Sequence, residues 1–549
     1  MQNNDLPDAE SLLRRALDLV PERVSVLTNL SVVLIGLKKH EEALIYAEKS
    51  VNLDRQNTEG WLNLAKCHER CGRNRSSIEC LEKAHQLDPN SIRILYELSR
   101  IYQQENEINR SLLCLTKGRV IEFGDADAFS DYGAALFNAG NLNEALVNFD
   151  KAIALNSKHL EAWCNKGSVF LELGDYAAAL ASFRKAIEID PGYVKGLSSE
   201  SAALVGLDRP EAALEGANKA IDIDPGYVDA HYNRGNALRE LRRYEEAEAS
   251  YGKAIALKPD FAEAYGNRGN VLCDLKQYHA AVESYDQAIA LEPDLAQAYN
   301  NRGNSLRELK RYEEAVASYD KAIALKPDLA EAYGNRGNVL SDLKQYQAAV
   351  ESYDIAIALK PGHADAHNSR GNSLRELKRY EEALASYGKA IAIKPDFAEA
   401  YSNRGNVLRD LKQYRAAVES CDKAIALKPD LAEAYGNRGN SLQELRRFEE
   451  AVASCDKAIA FKPDFAEAYH NRGNSLRELK RYDEAVASYR KAIELKPEFS
   501  LASENLGYTY LSLGKHAEGL ELIAKHSGFI RFTSASGVRL VLEVDHEKN

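Results

Sequence analysis

The residues from Ala262 to Leu295 place apolar side chains in two successive blocks with helical spacing. In each block an apolar residue returns every three or four positions, which is typical of a helix with one buried face. The first block comprises Ala264, Tyr265, Val271, Leu272 and Leu275, and the second comprises Tyr278, Ala281, Val282, Tyr285, Ala288, Ile289 and Leu291. The polar stretch Asp274–Gln277 predicts a short antiparallel turn. Pro293 predicts the end of the second helix, because proline disfavours helical geometry just before it.

This 34-residue pattern repeats without a change of register from Val24 to Phe499, which gives fourteen full-length copies. We call each copy a repeat, its first helix the A helix and its second helix the B helix. A fixed period of this length indicates an array in which each repeat buries its apolar face only against its neighbours. The pattern therefore predicts an all-α solenoid instead of several separate globular domains.

The repeats follow the common pattern to different degrees. They are degenerate in residues 24–125, intermediate in residues 126–227 and nearly identical in residues 228–499. A longer rhythm of 68 residues in the last segment pairs neighbouring repeats, which indicates duplication of a two-repeat block.

The two ends of the chain depart from the period. We expect residues 1–23 to form an N-terminal capping helix and residues 500–526 to form C-terminal capping helices. Two β-prone runs surround Ser534–Gly537, so residues 527–549 are predicted to form a β-hairpin tail. This tail either leans on the last helices or serves as a short dimerisation or docking element.

Small residues and aromatics recur at fixed positions in the repeats, as expected where two helices cross closely. An aromatic residue, Gly, two Ala and Pro return together as Tyr299/Gly303/Ala315/Ala322/Pro327, Tyr333/Gly337/Ala349/Ala356/Pro361, Tyr435/Gly439/Ala451/Ala458/Pro463 and Trp163/Gly167/Ala179/Ala186/Pro191. This set resembles the tetratricopeptide repeat. The resemblance implies a right-handed superhelical solenoid of antiparallel helix pairs, with an inner wall built from the A helices.

Charge and hydropathy narrow the possible partners. The formal net charge is −12, and residues 296–329 carry six Lys/Arg against five Asp/Glu, so no basic stripe is present for nucleic acid. No apolar run approaches the ~20 residues that a membrane-spanning helix needs. The first ten residues also lack the positive start and apolar core of a secretory signal. We therefore expect a cytoplasmic protein with neither a nucleic-acid partner nor membrane insertion.

The eight cysteines show no paired framework. Cys421 and Cys455 stand where neighbouring repeats hold Tyr, which indicates core filling. Cys67 and Cys71 lie four residues apart, but no His/Cys pair follows them at metal-ligand spacing. Common nucleotide-binding, serine-hydrolase and zinc-peptidase motifs are absent from the sequence. The sequence therefore predicts free thiols in a reducing compartment, no metal, no cofactor and no enzyme activity.

Asparagine is a poor helix former whose amide both donates and accepts hydrogen bonds, yet it recurs in pairs along the A helices. The candidate peptide-binding residues are Asn233, Asn236, Asn267, Asn270, Asn301, Asn304, Asn335, Asn338, Asn403, Asn406, Asn437, Asn440, Asn471 and Asn474. Such a ladder is suited to the N–H and C=O groups of an extended peptide. The alternative is a solvated helix face multiplied by duplication. The intervening arginines are predicted to be structural, with the stem over a core edge and the head near carboxylates; these are Arg268, Arg302, Arg336 and Arg404.

The asparagine series in residues 228–499 resembles the asparagine ladder in the tetratricopeptide superhelix of O-linked N-acetylglucosamine transferases. The resemblance implies that a peptide is held by its backbone in the groove. The chain departs from that family at Arg268, where Leu is usual, and at Leu272, where an aromatic residue is usual. Only residues 500–549 follow the repeats, in place of a large catalytic domain.

Together these features predict a non-enzymatic scaffold that binds an extended protein segment in the groove. We expect the residue that precedes the first Asn of each pair to set local ligand preference, and examples are Tyr232, Gly266, Asn300, Ser402 and His470. Two alternatives stay open. The chain is either a substrate-recruiting arm for a separately encoded glycosyltransferase, or a structural solenoid that self-associates through its caps or its C-terminal hairpin.

Overall fold

The computed structural model describes residues 6–527, 530–534 and 538–542, with side chains described for residues 6–524. The chain divides into two compact halves, Met1–Leu275 and Lys276–Asn549. Both halves are built from helices of 12 to 15 residues joined by short turns. The prediction of an all-helical repeat array is confirmed for residues 6–527.

The described residues of the N-terminal half form sixteen helices. They are α1 (Leu6–Leu19), α2 (Val24–Gly36), α3 (His40–Leu53), α4 (Thr58–Arg70), α5 (Asn74–Leu87), α6 (Ile92–Gln104), α7 (Ile108–Glu122), α8 (Ala126–Asn138), α9 (Leu142–Leu155), α10 (Leu160–Glu172), α11 (Tyr176–Ile189), α12 (Val194–Gly206), α13 (Pro210–Ile223), α14 (Val228–Glu240), α15 (Tyr244–Leu257) and α16 (Ala262–Asp274).

The described residues of the C-terminal half form fifteen helices and two strands. They are α17 (Tyr278–Leu291), α18 (Ala296–Glu308), α19 (Tyr312–Leu325), α20 (Ala330–Asp342), α21 (Tyr346–Leu359), α22 (Ala364–Glu376), α23 (Tyr380–Ile393), α24 (Ala398–Asp410), α25 (Tyr414–Leu427), α26 (Ala432–Glu444), α27 (Phe448–Phe461), α28 (Ala466–Glu478), α29 (Tyr482–Leu495), α30 (Ser500–Ser512), α31 (His516–Ser527), β1 (Ile530–Ser534) and β2 (Val538–Leu542).

A left-handed residue closes the turn from the A helix to the B helix. After α18, Lys310 has φ 58°, its N–H donates to Arg307 O at 2.8 Å, and Arg311 N–H donates to Leu306 O at 2.9 Å. This pairing satisfies the last carbonyls of the helix. Gly174 has φ 74° at the same register of its repeat. The sequence predicts a turn here but not its handedness, since all eight near-identical repeats carry Lys or Arg at this position.

The B helices end where the prolines predict. Helix α19 stops at Leu325, and the next residue, Lys326, leaves the helix with φ −135° just before Pro327. Because proline disfavours helical geometry in the residue before it, the B helix stops at the same register in successive repeats. Each helix is thereby kept near four turns, which matches its partner in length.

The core lies between the two helices of each repeat and the next A helix. In the C-terminal half, Ala315, Tyr319 and Ala322 of α19 are fully buried, and Leu306 of α18 packs against Ala315 and Tyr319. A Cβ atom on Gly303 would lie 2.6 Å from Cε1 of Tyr319. The prediction that this Gly position permits close packing is therefore confirmed, since only a residue without a side chain leaves room for the tyrosine ring.

The strands β1 and β2 pair in antiparallel fashion, with Ile530 opposite Leu542 and Ser534 opposite Val538. The predicted turn includes residues 535–537, which lie outside the described residues, so the complete hairpin stays a prediction. Within the described ranges, no helix is both long and apolar enough to cross a membrane.

Candidate functional site

The predicted asparagines all lie on A helices, in pairs three residues apart. Because residues three apart share one face of a helix, the two amides of each pair lie side by side. Asn233 is the only buried member of the set, and the other thirteen are half-buried. The helices that carry them are α14, α16, α18, α20, α24, α26 and α28. Within each half, the candidate surface is therefore a polar stripe that is partly covered by its own repeats.

The second Asn of a pair is held by a tyrosine from the B helix of the same repeat. Tyr319 Oη donates to Oδ1 of Asn304 at 2.8 Å. The same bond forms from Tyr251 to Asn236 at 2.7 Å and, at 2.8 Å, from Tyr353 to Asn338, from Tyr387 to Asn372 and from Tyr489 to Asn474. The amide oxygen is thus engaged with the core. Among the described residues, Nδ2 of Asn304, Asn338 and Asn474 has no protein partner.

Two of the repeats that carry an asparagine pair lack this tyrosine. Cys421 and Cys455 stand in its place and are fully buried, which confirms their predicted role as core fillers. In the first of these repeats, Oδ1 of Asn406 is buried without a hydrogen-bond partner. The sequence already contained the signal for this lost bond, because Cys421 follows Asn406 by fifteen residues, as Tyr319 follows Asn304.

The first Asn of a pair connects successive A helices. Nδ2 of Asn335 donates to Oδ1 of Asn300 at 3.1 Å, and Nδ2 of Asn403 donates to Oδ1 of Asn368 at the same distance. Nδ2 of Asn437 donates to Oγ of Ser402 at 3.2 Å. In the N-terminal half, Asn267 donates to Tyr232 Oη at 2.9 Å, and Asn233 to Ser198 Oγ at 3.1 Å. The donor side of the first amide is therefore used between repeats in these five pairs.

The residue before the first Asn contacts the next A helix in at least two repeats. Asn300 is fully buried and Ser402 is 3% exposed, and each bonds to the next A helix. Both residues therefore contribute to the contact between repeats, and their effect on ligand preference stays a prediction. Gly334 differs, because a Cβ atom built there would meet nothing within 4 Å. Space beside the asparagine stripe therefore varies from repeat to repeat.

The arginine between the two asparagines is structural, as predicted, in most repeats. Arg302 Nε donates to Oδ1 of Asp286 at 2.6 Å, and its Nη1 donates to Ser318 Oγ at 2.6 Å. Arg336 repeats both contacts with Asp320 and Ser352. Each such arginine thereby joins the B helix of the preceding repeat to the B helix of its own.

The cysteines offer no built site for chemistry. All eight thiols are free. Burial raises the pKa of both Cys421 and Cys455 to about 12, so these thiols stay protonated near neutral pH. Within the described residues, no cluster of three or more His, Cys, Asp or Glu side chains is arranged to hold a metal ion.

The chain is similar to several solved structures of helical-repeat proteins. The comparison with curated proteins gives no match. Among solved structures, the chain is similar to the Cut9–Hcn1 hetero-tetramer of APC/C, with 15% identity, a TM-score of 0.42, and coverage of 90% of this chain and 98% of that one. YrrB, a tetratricopeptide protein with an unusual peptide-binding site, is 26% identical with a TM-score of 0.29, and the match covers 36% of this chain and 99% of YrrB. Yeast Tom70 is 15% identical with a TM-score of 0.37, and the match covers 73% of this chain and 98% of Tom70.

Sequence models of the tetratricopeptide repeat match along the chain. Models with the description "Tetratricopeptide repeat" match residues 1–58, 58–91, 160–193, 228–261, 330–363, 398–431, 432–465 and 466–499. A model described as "TPR repeat" matches residues 269–306, 303–343 and 371–411. Together these ranges cover well over half of the chain, and the six ranges from 160–193 to 466–499 in the first set each contain one helix pair described above. The chain therefore belongs to the tetratricopeptide-repeat family.

Proposed function

We propose that this protein is a non-enzymatic scaffold that binds an extended polypeptide through the asparagine stripe of its A helices. In the superhelix that the family resemblance implies, this stripe faces the inner groove. The free thiols fit a reducing compartment such as the cytoplasm. The main chain of the bound segment supplies most of the recognised groups, so many sequences are accepted.

One observation carries the proposal: the internal hydrogen bonds leave opposite halves of the two amides available. Asn335, Asn403 and Asn437 use Nδ2 between repeats, and their Oδ1 atoms have no protein partner among the described residues. Asn338 instead uses Oδ1, and its Nδ2 has no such partner. The Asn335–Asn338 pair thus offers one acceptor and one donor. A peptide backbone supplies the complementary groups, because its N–H donates to the acceptor and its C=O accepts from the donor.

The internal bonds also make the site rigid. Tyr353 orients the Asn338 amide, and Asn300 orients the Asn335 amide, before any ligand arrives. An amide that is already oriented loses less side-chain entropy on binding. Each contact contributes only about 0.5–1.5 kcal/mol. Affinity therefore comes from several repeats together, and removal of one amide has a small effect.

Substitution of asparagine by aspartate tests the proposal without removing the internal bond. In the triple variant Asn304→Asp, Asn338→Asp and Asn474→Asp, each carboxylate still accepts from its tyrosine but no longer offers an N–H donor. The matched control, Gln277→Glu, Gln345→Glu and Gln413→Glu, adds the same charge at exposed positions that begin B helices. Both proteins are titrated with a randomised library of short, unstructured, fluorescent peptides, and bound peptides are measured by anisotropy.

We expect the control to bind as the parent protein does and the triple variant to lose binding. Peptides with N-methylated backbone amides test the acceptor atom of each asparagine pair, because they cannot donate a hydrogen bond to Oδ1 of the first Asn. They should bind more weakly than their unmethylated counterparts. Equal binding of the library by the parent protein and the triple variant would overturn the proposal.

The narrower hypothesis of a recruiting arm for a glycosyltransferase concerns the same groove and adds an enzyme partner. It is tested by reconstitution, in which a separately purified glycosyltransferase modifies a groove-bound peptide faster with this protein than without it. No acceleration at saturating peptide would exclude the recruiting role and leave the scaffold proposal intact. The self-association hypothesis is tested by sedimentation of the full chain and of a chain ending at residue 526 over a range of concentrations.

A further inference from the structure

The arginine that follows the first Asn position meets a carboxylate sixteen residues earlier in most repeats of the C-terminal half. That carboxylate lies on the B helix of the preceding repeat. The Nε–Oδ1 distances are 2.6 to 2.7 Å for Arg302–Asp286, Arg336–Asp320, Arg370–Asp354, Arg438–Asp422 and Arg472–Asp456. The repeated geometry defines a position where a carboxylate is held between two B helices, and we call it the arginine–carboxylate position.

One repeat lacks the carboxylate. Gly388 stands sixteen residues before Arg404, and a Cβ atom built on it would meet nothing within 4 Å. Arg404 is half-buried and, among the described residues, makes no hydrogen bond or ion pair. The serine that would share it, Ser420, donates to the carbonyl oxygen of Tyr401 at 2.9 Å. The position that an aspartate side chain occupies beside the arginine in neighbouring repeats is therefore open beside Arg404.

The N-terminal half shows that the loss of this aspartate can be compensated. Gly252 stands sixteen residues before Arg268, but Glu248, one helical turn earlier, supplies an oxygen 2.8 Å from Arg268 Nε. The equivalent residue before Arg404 is Leu384, which cannot accept a hydrogen bond. Arg404 thus lacks both the usual partner and the substitute.

We propose that Arg404, together with the opening above Gly388, forms a binding site for a carboxylate group from outside the chain. A guanidinium offers several N–H donors in a planar fork that matches a carboxylate. The incoming group occupies the arginine–carboxylate position, between α23 and α25, and completes the contact that neighbouring repeats make internally. Its source is either an acidic side chain of a bound polypeptide or a small organic acid.

This site is separate from the asparagine stripe. Successive residues of a helix are rotated by about 100°, so Arg404 points away from the face that Asn403 and Asn406 share. In the other repeats the corresponding arginine contacts only B-helix residues. The carboxylate site therefore goes beyond the proposed peptide groove and does not depend on it.

Side-chain NMR of the full chain with isotope-labelled arginine tests the inference directly. The Nε–H signal of Arg404 is assigned with the Arg404→Lys variant, and the protein is titrated with sodium acetate, with sodium chloride as the ionic-strength reference. We expect acetate to shift the Arg404 signal in a saturable manner, while Arg370, whose carboxylate is internal, shifts far less.

The variant Gly388→Asp restores the internal partner. It should move the Arg404 signal toward the position of Arg370 without acetate and abolish the response to acetate. Gly252→Asp is the matched control, because Arg268 already has Glu248, and it should leave the Arg404 response unchanged. A response of Arg404 no larger than that of Arg370, or an undiminished response in Gly388→Asp, would overturn the proposal.

A second titration with a blocked triglutamate peptide distinguishes the two sources of the carboxylate. A shift at a lower carboxylate concentration than acetate requires assigns the site to an acidic polypeptide. Equal or weaker response to the peptide assigns it to a small organic acid. Either result retains Arg404 as the binding residue.

Discussion

The hydroxyl of Tyr319 donates a 2.8 Å hydrogen bond to the side-chain oxygen of Asn304, across the two helices of one repeat. Tyr319 is fully buried, whereas Asn304 is half-buried. The bond therefore links the repeat core to the candidate binding stripe. It also determines which atom of the amide remains available, because the oxygen is engaged and Nδ2 is not.

Removal of this hydroxyl should weaken the repeat. In Tyr319→Phe the ring still fills the core, but Oδ1 of Asn304 loses its donor. We expect a loss of about 1 kcal/mol in local stability, measured as faster amide hydrogen exchange in α18 and α19. Tyr312→Phe, at a half-buried position that begins α19, is the control and should leave exchange unchanged. Equal protection in both variants would show that the bond adds no stability.

Restoration of a missing hydroxyl should have the opposite effect. Asn406 Oδ1 is buried without a partner because Cys421 stands where neighbouring repeats hold Tyr. We expect Cys421→Tyr to raise the local stability of α24 and α25 by about 1 kcal/mol. Cys421→Phe supplies a similar volume without the hydroxyl, so the difference between the two variants isolates the hydrogen bond. No difference in denaturant midpoint or hydrogen exchange between them would contradict the prediction.

Two glycines of neighbouring A helices should respond oppositely to alanine. Gly303→Ala places a Cβ 2.6 Å from Tyr319, and overpacking of this kind costs about 1–3 kcal/mol. Gly334→Ala meets nothing within 4 Å and gains up to ~1 kcal/mol of helix propensity. Urea unfolding monitored by circular dichroism should move the midpoint down for the first variant and up for the second. A shift of both in the same direction would argue against the packing described here.

The turn after α18 should be stabilised by glycine. Lys310 has φ 58°, a region in which a side chain is unfavourable by roughly 1 kcal/mol relative to glycine. Lys310→Gly is therefore expected to raise local stability by up to about 1 kcal/mol. Lys326→Gly, at φ −135°, relieves no such strain and is expected to lower stability or leave it unchanged. Hydrogen exchange of α18 and α19 measures both effects, and an equal response would refute the role of backbone strain.

Much of the fold is predictable from local signals in the sequence. Apolar spacing identified the helix pairs, and Pro327 and its equivalents marked the ends of the B helices. Gly303 and its equivalents marked close packing. These features depend on interactions within one helix or between two adjacent helices. The residues that make such interactions all lie within one 34-residue repeat, so the repeat pattern reveals them. The sequence does not predict the left-handed turn residue, because a lysine such as Lys310 does not indicate positive φ as a glycine such as Gly174 does.

The repeat, the length of its helices and the asparagines along them follow from the order of the amino acids alone. The atoms that those asparagines leave available, and the arginine that lacks its carboxylate, depend on tertiary packing. These contacts join residues fifteen, sixteen and thirty-five positions apart on different helices. Each of them depends on how the helices stack. Gly388 is a single exchange for aspartate in a nearly identical repeat, and it leaves Arg404 of the next repeat without a carboxylate partner.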